Sequence, residues 1–384
     1  MPDLELWRLD GPVVSLGCQG CPMLSLCGGQ RRVGGGWSCL SRCGECDRAR
    51  CDLVCFGKPQ EYGEALDEVG GFSAEDISGP LQSSLIELPR YVPVVQHTYT
   101  GSGHIRLPWV ALPLSAILRA PGGALTAVAS SPRELRRAFH LRDGTRVILL
   151  GTGEDKPLER YWEERRVQDL PKILAGLGCD LAVAPNFSFF LDDPRPQHLH
   201  NRKRSLICAR EWSELRLPTA PCLQAVSDAD YRFWEDFLRS HGEISVVAKE
   251  FQTGGAKWSR GIWALERIAL LQERLGRPLH LIAIGAARYR FELAKRFTSW
   301  TIVDSMPFMK AINRLRAVLG PKRVSWSRAG TRPVEVLLSH GALAWGRWIQ
   351  QADGNSRSRK ASATRRATTR SETRGVERPW LGAR

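Results

Sequence analysis

The chain has 384 residues, 43% of them hydrophobic, and a formal net charge of +15. That length can bury a full core without staples, and no apolar run approaches the roughly 20 residues that a membrane span needs. The basic balance points to polyanions, nucleic acid above all.

Chain order opens on cysteine. Eight of the eleven cysteines lie within the first 55 residues: Cys18, Cys21, Cys27, Cys39, Cys43, Cys46, Cys51 and Cys55. CxxC and CxxxC spacings in so short a stretch gather several thiolates around one point, as metal or iron–sulfur ligation requires. Disulfides are the alternative. They need an oxidising compartment, and MPDLELWRLDG has neither a basic n-region nor an apolar h-region, so a cytoplasmic chain is expected. The spacing divides best into two tetrads, Cys18, Cys21, Cys27 and Cys39, then Cys43, Cys46, Cys51 and Cys55. An iron–sulfur cluster and zinc both take four thiolates, so the cofactor stays open between them. Cys39, Cys43 and Cys46 also read CxxxCxxC, which resembles the cluster motif of radical S-adenosylmethionine enzymes. That resemblance implies a cluster with one open iron.

The cysteine segment, residues 1–60, gives way to a Gly-rich, acidic connector over residues 61–90. Short apolar runs then alternate with longer amphipathic stretches. The runs are Tyr91–Gln96, Trp109–Leu114, Arg146–Leu150, Asp180–Pro185, Pro221–Val226, Ile244–Lys249, His280–Gly285 and Thr301–Asp304. Leu158–Leu177, Asp228–Ser240, Trp263–Leu275 and Arg288–Phe297 carry helical spacing, with Pro171 a break and Asp228 an N-cap. Strands alternating with helices imply parallel pairing. An open doubly wound sheet gives the same local pattern, but about eight strands favour a (β/α)8 TIM-like barrel over residues 91–350. From residue 351 to 384 the chain is arginine-rich, poor in apolar residues and without periodicity, so a disordered basic tail is expected.

Barrel enzymes place catalytic groups at the C-terminal ends of strands. Those positions here hold Gln96 and His97; Asp155 and Lys156; Asn186 and Ser188; Gln224; Lys249, Glu250 and Gln252; Gly285; and Asp304 with Ser305. Of these, Asp304, His97 and Lys249 are the expected catalytic groups, with Gln96, Asp155, Asn186, Ser188, Gln224, Gln252 and Gly285 expected to bind substrate. Asp155, Ser188 and Ser305 are also ordinary cap and turn residues. The basic run Arg202, Lys203 and Arg204 could hold a phosphate or solvate an outer helix.

Gly285, then Asp304 followed by Met306 and Pro307, resembles tRNA-guanine transglycosylase-like barrels. The resemblance covers about a tenth of the chain. It implies base exchange, with Asp304 attacking an anomeric carbon while the base leaves, a step suited to a carboxylate. The family's zinc cysteines after the nucleophile have no counterpart here, nor does its Asp-Ser-Gly-Gly-like turn. The stretch from Pro185–Ser188 onward resembles an uncharacterised bacterial and phage family, which implies no mechanism. Three functions fit the sequence: a metal-binding barrel enzyme acting on a nucleobase or nucleic acid, a radical S-adenosylmethionine enzyme, and a non-catalytic nucleic-acid-binding protein.

Overall fold

A computed structural model describes residues 53–55, 59–79, 81, 87–190, 193–252 and 258–372. The cysteines from Cys18 to Cys51 lie outside these residues; Cys55 lies within them and is buried. The chain is a mixed α/β fold with two four-stranded parallel sheets.

Seven of the eight apolar runs overlap strands and the eighth, Pro221–Val226, directly follows one: β1 (Tyr91–Pro93), β2 (Trp109–Pro113), β3 (Arg146–Leu150), β4 (Leu181–Val183), β5 (Thr219–Ala220), β6 (Val246–Glu250), β7 (His280–Ile284) and β8 (Trp300–Asp304). One sheet has the order β1-β8-β7-β6 and the other β2-β3-β4-β5. Two further parallel bridges, Val94 to Ala111 and Cys222 to Ala248, join the sheets at both edges. Each strand therefore has a parallel neighbour on both sides.

Successive residues on a strand face opposite ways, and the core is split accordingly. Val92, Ala111, Ile148, Val183, Ala220, Ala248, Ile282 and Val303 pack together in one cluster to which all eight strands contribute. Leu112, Leu149, Ala182, Val247, Ala283 and Ile302 face the other way and pack with the helices. Burial on both faces explains why the runs read as continuously apolar rather than alternating.

The helices depart from expectation in instructive ways. Leu158–Leu177 is two helices, α3 (Asp155–Glu164) and α4 (Leu170–Gly176), following α1 (Pro59–Glu68) and α2 (Pro132–Ala138). The break is Asp169 at φ +50°, not Pro171, which sits in the first turn of α4 where its missing N–H costs nothing. α5 (Arg195–Glu214) and α6 (Asp228–Ser240) follow. Ser227 rather than Asp228 caps α6, in a reciprocal capping box with Asp230. Next come α7 (Trp258–Leu275), α8 (Arg290–Arg296), α9 (Met306–Ile312) and a long α10 (Val334–Glu372). Between α9 and α10 lies an antiparallel hairpin, Leu315–Leu319 with Val324–Arg328, that no sequence pattern announced. The tail expected to lack structure from residue 351 begins inside α10, whose backbone is helical to Glu372. Its alanines, arginines and lysine are strong helix formers. No described helix is long and apolar enough to cross a membrane.

Candidate functional site

The C-terminal ends of β4 to β7 bring several expected residues together. Asn186 follows β4, and its Oδ1 accepts the Cys222 thiol at 3.6 Å. Lys249 lies near the end of β6 and donates from Nζ to the Leu223 carbonyl at 2.9 Å. Alternation sets Lys249 with Val247 on the helix side of β6, and its side chain is partly buried. Burial lowers its pKa, against the opposing fields of Cys222, Glu250 and Asp230. A lysine pushed toward its neutral form exchanges protons more readily than a surface one.

Glu250 closes β6 two positions after Ala248, so alternation turns it toward the cluster shared by all eight strands. Its carboxylate accepts the Gln252 amide. The Gln252 side chain in turn lies directly over Gly285, where any Cβ would collide with it. Gly285 has φ +69°, the left-handed region that glycine enters without strain. Its amide donates to Val303 O at 2.8 Å, tying the end of β7 to β8.

Beside this group runs the loop that leaves β4, held by several polar contacts and one ring stack. Gln224 is buried and donates from Nε2 to the Phe187 carbonyl at 2.7 Å, while its Oε1 accepts no hydrogen bond among the described atoms. Asn201 donates to the Ser188 carbonyl at 2.5 Å. The Ser188 hydroxyl bonds Asp155 at the start of α3. His198 stacks on Phe189 with ring centroids 4.3 Å apart and meets the Phe190 carbonyl at 2.5 Å. Burial and the Arg195 charge push this histidine down to about 4, so it is neutral and its Nε2–H is the donor.

Two of those clamps, His198 and Asn201, come from α5. Arg195, His198, His200, Asn201, Arg202, Lys203 and Arg204 are all buried. The basic run is therefore neither a solvated face nor an open phosphate contact. Each cation is neutralised inside the protein. Arg195 and Arg202 reach Asp230 Oδ1 at 2.5 and 2.9 Å. Lys203 pairs with Asp76, and Arg204 with Glu159. Burial would raise the Asp230 carboxyl, but the two guanidinium groups hold it far below the usual carboxylate range. His200 donates to Glu68, which also takes the Trp162 indole at 2.6 Å. The signal available in the sequence was the acidic complement, Glu68, Asp76, Glu159 and Asp230, scattered over four separate segments.

The other expected residues stand apart. Gln96 and His97 are exposed beyond β1, and His97 packs edge-on against Phe308 of α9 at 5.0 Å. Asp304 shares its face of β8 with Trp300 and Ile302, which point to the helices. Its Oδ1 accepts the Met306 amide at 2.8 Å. Burial raises its pKa to about 6. The Trp345 indole of α10 lies outside hydrogen-bonding geometry but close enough to favour the charged form. The site that Asp304, Lys249, Asn186 and Gln96 were expected to share therefore resolves into a group at β4 to β7 and a separate, buried carboxyl. Among the described residues no group of three or more His, Cys, Asp or Glu side chains could hold a metal ion.

No protein-family model matches the chain. No curated protein matches it either.

Proposed function

We propose that the chain is a (β/α)8-barrel enzyme that exchanges or removes a nucleobase at the C-terminal ends of its strands, with Lys249 and Glu250 as the reacting pair. The barrel reading rests on the parallel neighbour that every strand has on either side and on one inner cluster fed by all eight. The observation that carries the chemistry is the Lys249 ammonium, lowered in pKa by burial, which leaves β6 on the helix side with Val247 yet feels the fields of Cys222 and Glu250 on the inward side.

In this mechanism the Glu250 carboxylate attacks the anomeric carbon and a C–O ester bond forms as the glycosidic C–N bond breaks. The bonding pair leaves with the base nitrogen, which takes a proton from the Lys249 ammonium. An incoming base or water then displaces the ester and returns its proton to the Lys249 amine. Asn186 and Gln252 offer amide groups to the edge of the base. The clamped loop from Phe187 to Phe190 holds Asn186 in place, the kind of rigid support that a reacting geometry needs. Asp304, expected from sequence to be the nucleophile, is replaced in this role by Glu250, because its carboxyl lies among Tyr91, Met306 and Trp345.

The test is incorporation of labelled nucleobases into bulk RNA or DNA by the full-length protein. Glu250→Gln should abolish incorporation while Asp304→Asn retains it. The reverse result, or neither incorporation nor release of any base by the unaltered chain, contradicts the reading.

For the N-terminal cysteines we propose a thiolate site for an iron–sulfur cluster or zinc, supported by spacing alone. Metal and acid-labile sulfide analysis of anaerobically purified protein tests it. Absence of both iron and zinc rejects it. If iron and sulfide are found, reductive cleavage of S-adenosylmethionine distinguishes a radical enzyme from a structural cluster.

A further inference from the structure

The hairpin between α9 and α10 carries charge that no described residue neutralises. Between Ser305 and Asp353 the chain has eight Lys or Arg residues and two carboxylates. Both carboxylates are committed elsewhere. Glu335 is buried and takes the Gly103 amide at 2.7 Å, and Asp353 pairs with Arg90 at 2.8 Å. Lys322 and Arg323 are exposed in the hairpin turn, and Arg328 is exposed at its base. None of the three is in an ion pair with a described residue. This is the opposite of α5, where every cation has its acid.

One face of the hairpin is anchored. Ala317 and Val324 are buried, Trp326 lies 6.2 Å from Trp345 of α10, and the Trp348 indole donates to the Lys322 carbonyl at 3.0 Å. That carbonyl contact fixes the backbone of the turn. The other face carries Arg316, Val318, Ser325 and Ser327, and the last three are exposed. A rigid two-stranded ribbon bearing cations and hydroxyls has the width that the major groove of B-form DNA admits.

We propose that this hairpin docks on duplex DNA, with Lys322, Arg323 and Arg328 on phosphates and Arg316, Ser325 and Ser327 facing the groove. The inference rests on the nucleic-acid reading above and adds to it the surface and the strand form. Charge complementarity carries it: a fixed ribbon with three or more unneutralised cations releases counterions when it meets a phosphate backbone.

The test is fluorescence anisotropy with a labelled duplex over a salt series, using the full chain and a variant with Arg316, Lys322, Arg323 and Arg328 each changed to Gln. The full chain should bind with affinity that falls steeply as salt rises. The variant should bind at least tenfold more weakly at low salt, with a log–log slope shallower by about 3 to 4. Unchanged affinity and slope in the variant overturn the hairpin assignment while leaving nucleic acid as a partner. A stronger preference for single strands or RNA also overturns it. No binding of any nucleic acid by the unaltered chain overturns both the hairpin and the reading on which it rests.

Discussion

The Tyr91 hydroxyl donates to the main-chain carbonyl of Asp304 at 3.2 Å, and so pins the end of β8 to β1 from the helix side of the sheet. The Asp304 side chain lies in this same dry layer, and Tyr91 is itself pushed well up by burial and by the Asp304 charge. An ionised Asp304 is therefore a liability to the fold.

Asp304→Asn should accordingly stabilise the protein at neutral and alkaline pH. The folded carboxyl titrates near 6 and the unfolded one near 3.8. Below about pH 3 it is protonated in both states. As pH rises toward 6 the unfolded chain ionises first, and stability falls by up to about 3 kcal/mol. The asparagine variant should lack that decline and melt higher at pH 8. A lower melting temperature at pH 8 would show that the charged carboxylate is wanted there.

His280 should tilt the same window the other way. Thr301 Oγ1 donates to Pro89 O at 2.6 Å and so accepts the His280 Nε2–H at 2.8 Å. Nδ1 is then left to accept the Ser299 hydroxyl at 2.6 Å. The ring is neutral in this chain of bonds, and burial with the Arg90 charge lowers it to about 4. Its stabilisation is complete above 6.5, the unfolded value, and is lost as pH falls toward 4, again by about 3 kcal/mol. The two groups oppose each other between pH 4 and 6. Chemical denaturation of His280→Gln across that range should show stability less sensitive to acid than in the parent chain. An unchanged acid dependence would contradict the assignment.

Breaking the buried charge network should be costly. Asp230 accepts bonds from Arg195, Arg202 and the amides of Val226 and Ser227. Asp230→Ala strands two buried guanidinium groups, a loss of about 3–5 kcal/mol. It should also loosen the Phe187–Phe190 loop, read as faster amide exchange there. Normal stability in this variant would mean the network is dispensable.

Gly285→Ala should destabilise by about 1–3 kcal/mol, because a side chain is strained at φ +69° and must displace Gln252. Under the proposed mechanism the displaced Gln252 weakens base binding, so KM rises more than kcat falls. A variant as stable as the parent, with unchanged KM, would argue that Gln252 is free to move.

How much of this could be read from residues alone varies with the physics involved. The eight strands were legible because strands buried on both faces are apolar throughout, and the expected runs overlap the strands or their bridges. β5 is the exception in register: it begins at Thr219, two residues before the expected run, since Pro221 cannot donate to the ladder and follows the paired residues. The hairpin was hidden because Arg316, Val318, Ser325 and Ser327 break any apolar alternation on the exposed face. Position along a strand located Asp304 and Lys249 at the right end, but side-chain direction turns on a shift of one residue. Trp300 and Ile302 mark the helix-facing set on which Asp304 lies, a parity visible in the sequence. The buried cations of α5 were misread because their acids lie on distant segments, and only the fold brings them within reach.

Everything in the proposed chemistry depends on Lys249 being held toward its neutral form beside Glu250. The most direct measurement is its titration by lysine-selective NMR in the full-length protein, assigned with Lys249→Met. The midpoint should lie clearly below the ordinary 10.5 and shift further down in Glu250→Gln, because the carboxylate field opposes burial. A midpoint at or above 10.5, unmoved by the Glu250 change, would contradict it.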